Sequence, residues 1–391
     1  MVTNQDQPLY LYDAYQKTAL SDVVRCHSTA IGYETVLATT LFYPEGGGQP
    51  SDRGTIDGQA VLRIDSNDEG HVVHLLQKPV SGQVALELDW VRRYDHMQQH
   101  TAQHLLTALA ADEFGKATTA FHLGEKRSDI ELDCEAFPAF EALRLEARVN
   151  EEIRACRPVI QDIVDPGRLA ELKVRTRGLP EGFRGQVRLV AIEGIDLNTC
   201  GGTHVSNTAE IQVVNLLHTE RLRGGTRLHY IAGGRVIEHC RAWRERERVL
   251  TGLLCCGPDS HAASVERLLE DNKASVREQR RQRNELARFI GEDLARQEGV
   301  ASFHADRGDM EFLRSIAVNA RKQRPDITAL LTAGEANGLF LLVGPEECIE
   351  AAGPTVARLL EGRGGGSRGL FQGKCARLDR VSDALGAIRE C

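Results

Sequence analysis

Between residues 139 and 156 the run AFEALRLEARVNEEIRAC places Leu143, Leu145, Val149 and Ile153 close to helical period, and this spacing predicts a helix. Residues 1–90 have a different rhythm. Short apolar segments at 34–40 and 84–88 are separated by glycine-rich and polar turns, including PEGGGQPSDRG at 44–54, and they read as strands and turns. Asp95 with Gln98 three residues later has the form of a capping box, which would open a helix over 96–111. Further on, QVRLVAIEGIDL, AEIQVVNLLHTERL and TRLHYIAGG read as strands. CGGTH forms a turn between the first two, and a glycine-containing stretch at 232–234 closes the block. Residues 261–300 read as one long helix. Its middle, REQRRQRN at 277–284, has no apolar residue, so it is solvated or lies on a polar partner. The last part, 301–391, alternates apolar strands (ITALLTA, GLFLLVG) with helical stretches, as a small α/β domain does.

The fold class expected is α+β in four parts. Residues 1–90 form a β-rich, barrel-like subdomain and 91–240 a mixed α/β domain; 241–300 form a long helical linker and 301–391 the C-terminal α/β domain. A chain of 391 residues suits two or three domains and can bury a real core without staples. The formal net charge of -8 excludes a protein held on nucleic acid by bulk charge, though not one with a local basic site. No apolar run approaches the roughly 18 residues of a membrane helix. The opening MVTNQDQPLYLYDAYQ lacks a basic stretch followed by an apolar one, so no signal peptide and a cytoplasmic location are expected. The ten scattered cysteines then read mostly as free thiols.

His96, His100 and His104 recur every four residues on one predicted helix, so neighbouring pairs share a face and can reach one metal ion. Cys200 and His204 flank two glycines that let the backbone turn sharply and aim both side chains the same way. A helical HxxxH pair and a CxxxH loop supply four nitrogen and sulfur donors, a set suited to tetrahedral zinc. Spacing alone does not choose between His96/His100 and His100/His104. His71 and His74, on a strand-like segment, read as surface or packing residues.

HTAQHLL (100–106) together with CGGTHV (200–205) resembles the editing domain of alanyl-tRNA synthetase and the free-standing editing proteins of the AlaX type. TLFYPEGGGQPSDRG (40–54) resembles the glycine-rich motif that opens that domain, and FHLGEKRSDIELD (121–133) its next segment. The likeness runs in order over about residues 1–240. The long helix followed by GRGGGSRGLFQG (362–373) resembles the C-terminal DHHA1 domain of the same synthetases, so the whole looks like the long form of the free-standing proteins. The chain starts almost at the editing domain, so activation of alanine is not expected.

The resemblance implies a hydrolase that deacylates mischarged tRNA(Ala), chiefly seryl-tRNA(Ala), with glycyl-tRNA(Ala) as a second candidate. A pocket shaped for alanine cannot strongly reject an isostere that adds a hydroxyl, whereas a second site that hydrogen-bonds the hydroxyl can select it. By the same resemblance, His100, His104, Cys200 and His204 hold one zinc ion. Thr40 stands where the family reads the serine hydroxyl, and Gln49 positions substrate or water. Gly46, Gly47 and Gly48 let backbone approach the aminoacyl group. Three protein ligands would leave zinc a position for water, and four would leave it organising the pocket; the sequence allows both. Asp196 and Glu45 lie near the motifs and are expected to be solvated carboxylates. For tRNA, residues 357–380 carry Arg358, Arg363, Arg368, Lys374, Arg377 and Arg380 against Glu361 and Asp379, an excess of four positive charges on glycine-rich backbone. The C-terminal region is also a candidate homodimer interface. The alternative from another class is a non-catalytic, zinc-containing tRNA-binding module.

Overall fold

The computed structural model describes residues 8–67, 70–175, 186–335 and 337–389. The opening residues 1–7 and Gly185 lie outside them. The chain is mixed α+β and divides into two units, Met1–Arg248 and Val249–Cys391. Among the described residues no helix is long and apolar enough to cross a membrane.

The first unit opens with seven strands: β1 (Thr18–Thr29), β2 (Gly32–Leu37), β3 (Gly54–Ile56), β4 (Gln59–Ala60), β5 (Arg63–Ser66), β6 (Val72–Leu76) and β7 (Gln83–Leu88). They make one curled antiparallel sheet in the order β4-β3-β7-β1-β2-β6-β5. Alternation selects the inner face: in β7, Val84, Leu86 and Leu88 are buried while Gln83, Ala85 and Glu87 are exposed. They join Phe42, Ile56, Ile64 and Leu76 in the core of this half-barrel.

Helix α1 (Trp90–Phe114) follows, capped by Asp89, whose carboxylate accepts from the Arg92 N–H at 3.1 Å. The helix therefore starts five residues before the Asp95 capping box expected from the sequence. Asp95 lies inside the helix and pairs with Arg235 at 2.7 Å. Trp90 and Tyr94, one turn apart, bring their rings to 5.4 Å and extend the helix towards its true cap. Most of α1 from His96 to Ala110 is buried despite its histidines, glutamines and threonines. Buried polar groups need partners. Gln99, for example, exchanges hydrogen bonds with both backbone groups of Ala232 at 2.9 and 3.0 Å.

Around α1 lie β8 (Thr118–Leu123), β9 (Ser128–Leu132), α2 (Ala139–Arg154), β10 (Val159–Val164), β11 (Val187–Ile192), β12 (Asp196–Thr199), β13 (Val214–Leu222) and β14 (Gly225–Ala232). They form a three-stranded sheet β10-β11-β12 and a four-stranded sheet β13-β14-β9-β8. Leu105, Leu106 and Leu109 of α1 share one core with Ile130, Leu145, Val190 and Tyr230. Arg93, fully buried, ties α1 to the turns of the half-barrel. It donates to the carbonyls of Ala14 and Leu41 and forms an ion pair with buried Asp52, which also accepts from the Tyr43 N–H.

Helix α3 (Gly234–Leu254) begins where the sequence pattern showed only the end of the strand block. Gly233, at φ 57°, makes the switch out of β14. In the second unit, α4 (His261–Arg296) is the long helix expected from 261 onward. It precedes β15 (Ala301–Ala305), α5 (Met310–Gln323), β16 (Ala329–Gly334), β17 (Gly338–Val343), α6 (Glu346–Leu359), β18 (Arg363–Gly366), β19 (Leu370–Cys375) and α7 (Val381–Arg389). Alternate residues of β16 and β17 feed two cores. Leu331, Leu341 and Val343 pack with Leu294, Leu313 and Ile316, whereas Leu330, Phe340 and Leu342 pack with Ile349, Val356 and Ile388. The sheet, in the order β15-β16-β17-β19-β18, is thus covered on both faces, with β18 at an edge.

Candidate metal centre

His100 and His104 stand one turn apart on α1, their ring centroids 5.3 Å apart. Strand β12 ends at Thr199 and hands the chain to the Cys200–Gly–Gly–Thr–His204 turn. Gly202 is required there, because a Cβ at that position would lie 2.3 Å from His100 Cε1 and 2.8 Å from Gln49 Oε1. Arg188 of β11, nearly buried, fastens the turn by donating from Nη1 to the carbonyls of Cys200 and Gly202 at 2.8 and 2.6 Å. The result brings one ligand atom from each of His100, His104, Cys200 and His204 within 4.8 Å of the others. Cys200 Sγ lies 3.4 Å from His100 Nε2 and 3.3 Å from His204 Nε2. His96 lies outside the group, and its buried ring is pushed down to a pKa of about 3 by desolvation and by Arg92, Arg235 and Arg93.

Each of the three ring Nδ1 atoms has its own acceptor. His100 Nδ1 is 2.8 Å from Gln49 Oε1, which also accepts from the Thr203 N–H at 3.0 Å. His104 Nδ1 is 2.9 Å from Asp196 Oδ2. His204 Nδ1 is 3.1 Å from Thr101 Oγ1, whose own proton goes to the Met97 carbonyl at 2.8 Å. In the neutral rings, the form that binds a cation, the three acceptors assign the proton to Nδ1 and leave the lone pair on Nε2. The thiol of Cys200, which burial alone would raise, is held well below its ordinary value by His100 and His204. Burial opposes charge on His104, yet the hydrogen bond to Asp196 and the Cys200 thiolate raise it to about 9. Burial drives His204 the other way, well below its ordinary value. Three imidazole lone pairs and a thiolate converging in a buried site fit a tetrahedral, borderline-soft cation such as zinc.

His100, His104 and Cys200 line a cavity of about 1170 Å³, together with Tyr10, Tyr43, Phe121, Arg175 and Gly46 to Gly48, whereas His204 is fully buried and is not among the lining residues. The glycines make a two-residue turn in which Gly46 and Gln49 exchange backbone hydrogen bonds at 2.9 and 3.1 Å. Gly47 and Gly48 have φ of 54° and 82°, and a Cβ on Gly48 would meet the Phe121 ring at 2.6 Å. Gln49 turns inward, 1% exposed, and its amide nitrogen donates to Thr203 Oγ1 at 2.9 Å. Its side chain is not part of the cavity lining and acts on His100.

Thr40 is buried in the half-barrel and is not among the lining residues. Its hydroxyl is 2.9 Å from His74 Nε2 and accepts from the Phe42 N–H at 3.1 Å. Arg363 and Arg368 are exposed in the second unit. Glu45 is exposed, as expected, and lines the cavity. Asp196 corrects its expectation: its side chain is 0% exposed and also pairs with Arg175 Nε at 3.0 Å. Thr101, Arg188 and the Arg93–Asp52 pair carried no spacing signal in the sequence. Only their burial and partners single them out.

The fold and site thus define a mixed α+β protein with a buried N₃S metal-ligand cluster beside a cavity. Residues 187–228 match the family described as threonyl and alanyl tRNA synthetase second additional domain. The mouse alanyl-tRNA editing protein Aarsd1 is 38% identical over 97% of this chain and 96% of its own length. Alanyl-tRNA editing protein AlaX-L of Pyrococcus horikoshii is 29% identical over 97% and 98%. The alanine–tRNA ligase of Sulfurisphaera tokodaii is 29% identical over 68% of this chain and 30% of the ligase. The chain belongs to the alanyl-tRNA editing protein family.

Proposed function

We propose that the protein is a cytoplasmic, zinc-dependent deacylase that removes serine, and glycine as a second substrate, from mischarged tRNA(Ala). The observation that carries this reading is the converging donor set of His100, His104, Cys200 and His204, three of which line a cavity of about 1170 Å³. These four side chains would hold one zinc ion per chain. When bound, the ion supplies a positive centre for organising the ester or its water. The chain's own residues do the rest. Gln49 orients His100 and couples the glycine turn to the CGGTH turn. Gly46, Gly47 and Gly48 bring backbone to the cavity edge without side-chain bulk, where it meets the aminoacyl group. Thr40 is assigned the serine hydroxyl; it stands behind the cavity lining with its proton directed to His74 and its oxygen left as an acceptor, so the hydroxyl must reach past the lining residues to meet it.

Residues 1–90 and 91–240 together form the editing part, 241–300 the linker, and 301–391 a DHHA1-like domain. In that last domain Arg363 and Arg368 meet the tRNA backbone, and the C-terminal region joins two copies into a homodimer. The test is deacylation of seryl-tRNA(Ala) beside alanyl-tRNA(Ala), by wild type and Cys200→Ala, with bound zinc quantified. Rapid loss of serine, sparing of alanine and collapse in the variant are expected. A folded, zinc-loaded protein that cleaves neither ester would favour a binding module instead.

A further inference from the structure

Outside the cavity lining lies a carboxylate, the His104 acceptor Asp196, that the proposed reaction does not use. We propose that Asp196 is a positioning residue that fixes the tautomer and ring orientation of His104, and that it is not the general base of the reaction. This rests on the metal-site reading.

The backbone supplies the first reason. Asp196 opens β12 opposite Ile192 of β11, four residues before Cys200. One short strand therefore delivers both a ligand and the acceptor for a ligand on α1. Oδ2 is 2.9 Å from His104 Nδ1, and Oδ1, which makes no hydrogen bond among the described residues, lies in an ion pair 3.0 Å from Arg175 Nε. Arg175 is itself tied to Asp112. A general base must reach the proton it abstracts, directly or through one water. Asp196 is fully buried and absent from the cavity lining, whereas its neighbours Asn198 and Thr199 are part of it.

Chemistry supplies the second reason. Neutral imidazole presents a lone pair at one nitrogen only, and an acceptor at Nδ1 assigns that lone pair to Nε2. Of the three acceptors, Gln49 and Thr101 are neutral. Asp196 is the one carboxylate, and a charged acceptor raises the donor strength of the imidazole most.

The experiment uses the full-length protein carrying Asp196→Asn or Asp196→Glu. Zinc affinity is measured by chelator competition, and seryl-tRNA(Ala) deacylation at stoichiometric and at saturating zinc. For Asn, zinc binding is expected to weaken on the order of 10- to 100-fold, and saturating zinc should restore the rate to within a few-fold of wild type. For Glu, which keeps the charge, a smaller loss is expected. Should the Asn protein not fold, the Glu protein carries the test by the same two readouts. Wild-type zinc affinity with a lost rate, or a rate that saturating zinc does not recover, would make Asp196 a base and overturn the proposal. A wild-type protein that binds no zinc would overturn the metal reading itself, and this inference with it.

Discussion

His74 shows how a single buried side chain sets a pH limit. Its Nδ1 faces the Thr35 carbonyl at 3.2 Å and its Nε2 the Thr40 hydroxyl, and burial lowers its pKa from 6.5 to about 4. The folded protein keeps this ring neutral while the unfolded chain takes up a proton near pH 6.5. Acidification through the window from 6.5 to 4 therefore favours unfolding, by about 3 kcal/mol at the lower end. Above pH 6.5 both states are neutral and the contribution is flat. Denaturant unfolding of zinc-free wild type and His74→Leu at pH 7, 5.5 and 4.5 measures this. The variant is expected to be less stable at pH 7 and to lose less stability on acidification. Parallel pH slopes would show that His74 does not titrate in this window.

At the scale of elements, α1 decides the geometry of the site, and its start decides where His100 and His104 point. Asp89→Ala should cost about 1 kcal/mol, because it leaves the Arg92 N–H without its cap. Asp95→Ala should act through the missing pair with Arg235 and leave the start of the helix unchanged. Hydrogen exchange of the first-turn amides separates the two, with faster exchange expected only for the Asp89 variant. The helix is legible as an element because its residues favour helices. Its start is not, because Asp95 and Gln98 imitate a cap, while the true cap Asp89 is reinforced by the pairing of Arg93 with Asp52 of the half-barrel. The alternating strands β7, β16 and β17 are readable for a local reason: side chains alternate between faces with period two. The sequence places helix α3 only from 241, as part of the helical linker; its start at Gly234 is not legible because no strong periodic signal announces it after the glycines.

Over the whole molecule, a net charge of -8 means that RNA binding has to be local. The second unit places exposed Arg363 on its edge strand β18, with Arg368 in the following turn at φ 55°. If these arginines meet phosphates, Arg363→Gln and Arg368→Gln should each weaken tRNA binding. Each should also flatten the dependence of log affinity on log salt, by somewhat under one unit for every phosphate no longer neutralised. Deacylation at saturating tRNA should stay near wild type. An unchanged salt slope in both variants would remove this strand from the RNA-binding surface.

By itself, the sequence determined the donor types and their spacing. Ligands four residues apart on a helix, or across two glycines, are set by local geometry that no partner needs to complete. Motif order likewise pointed to the family. Only the tertiary structure decided what surrounds those donors, because that depends on residues far apart in the chain. Gln49 meets His100 across 51 positions, Asp196 meets His104 across 92, and Thr101 meets His204 across 103. A solvated Asp196 was the expectation for the same reason: nothing in its neighbours announces burial. Packing places it behind His104, and the cost of burying its charge requires the partners it has there.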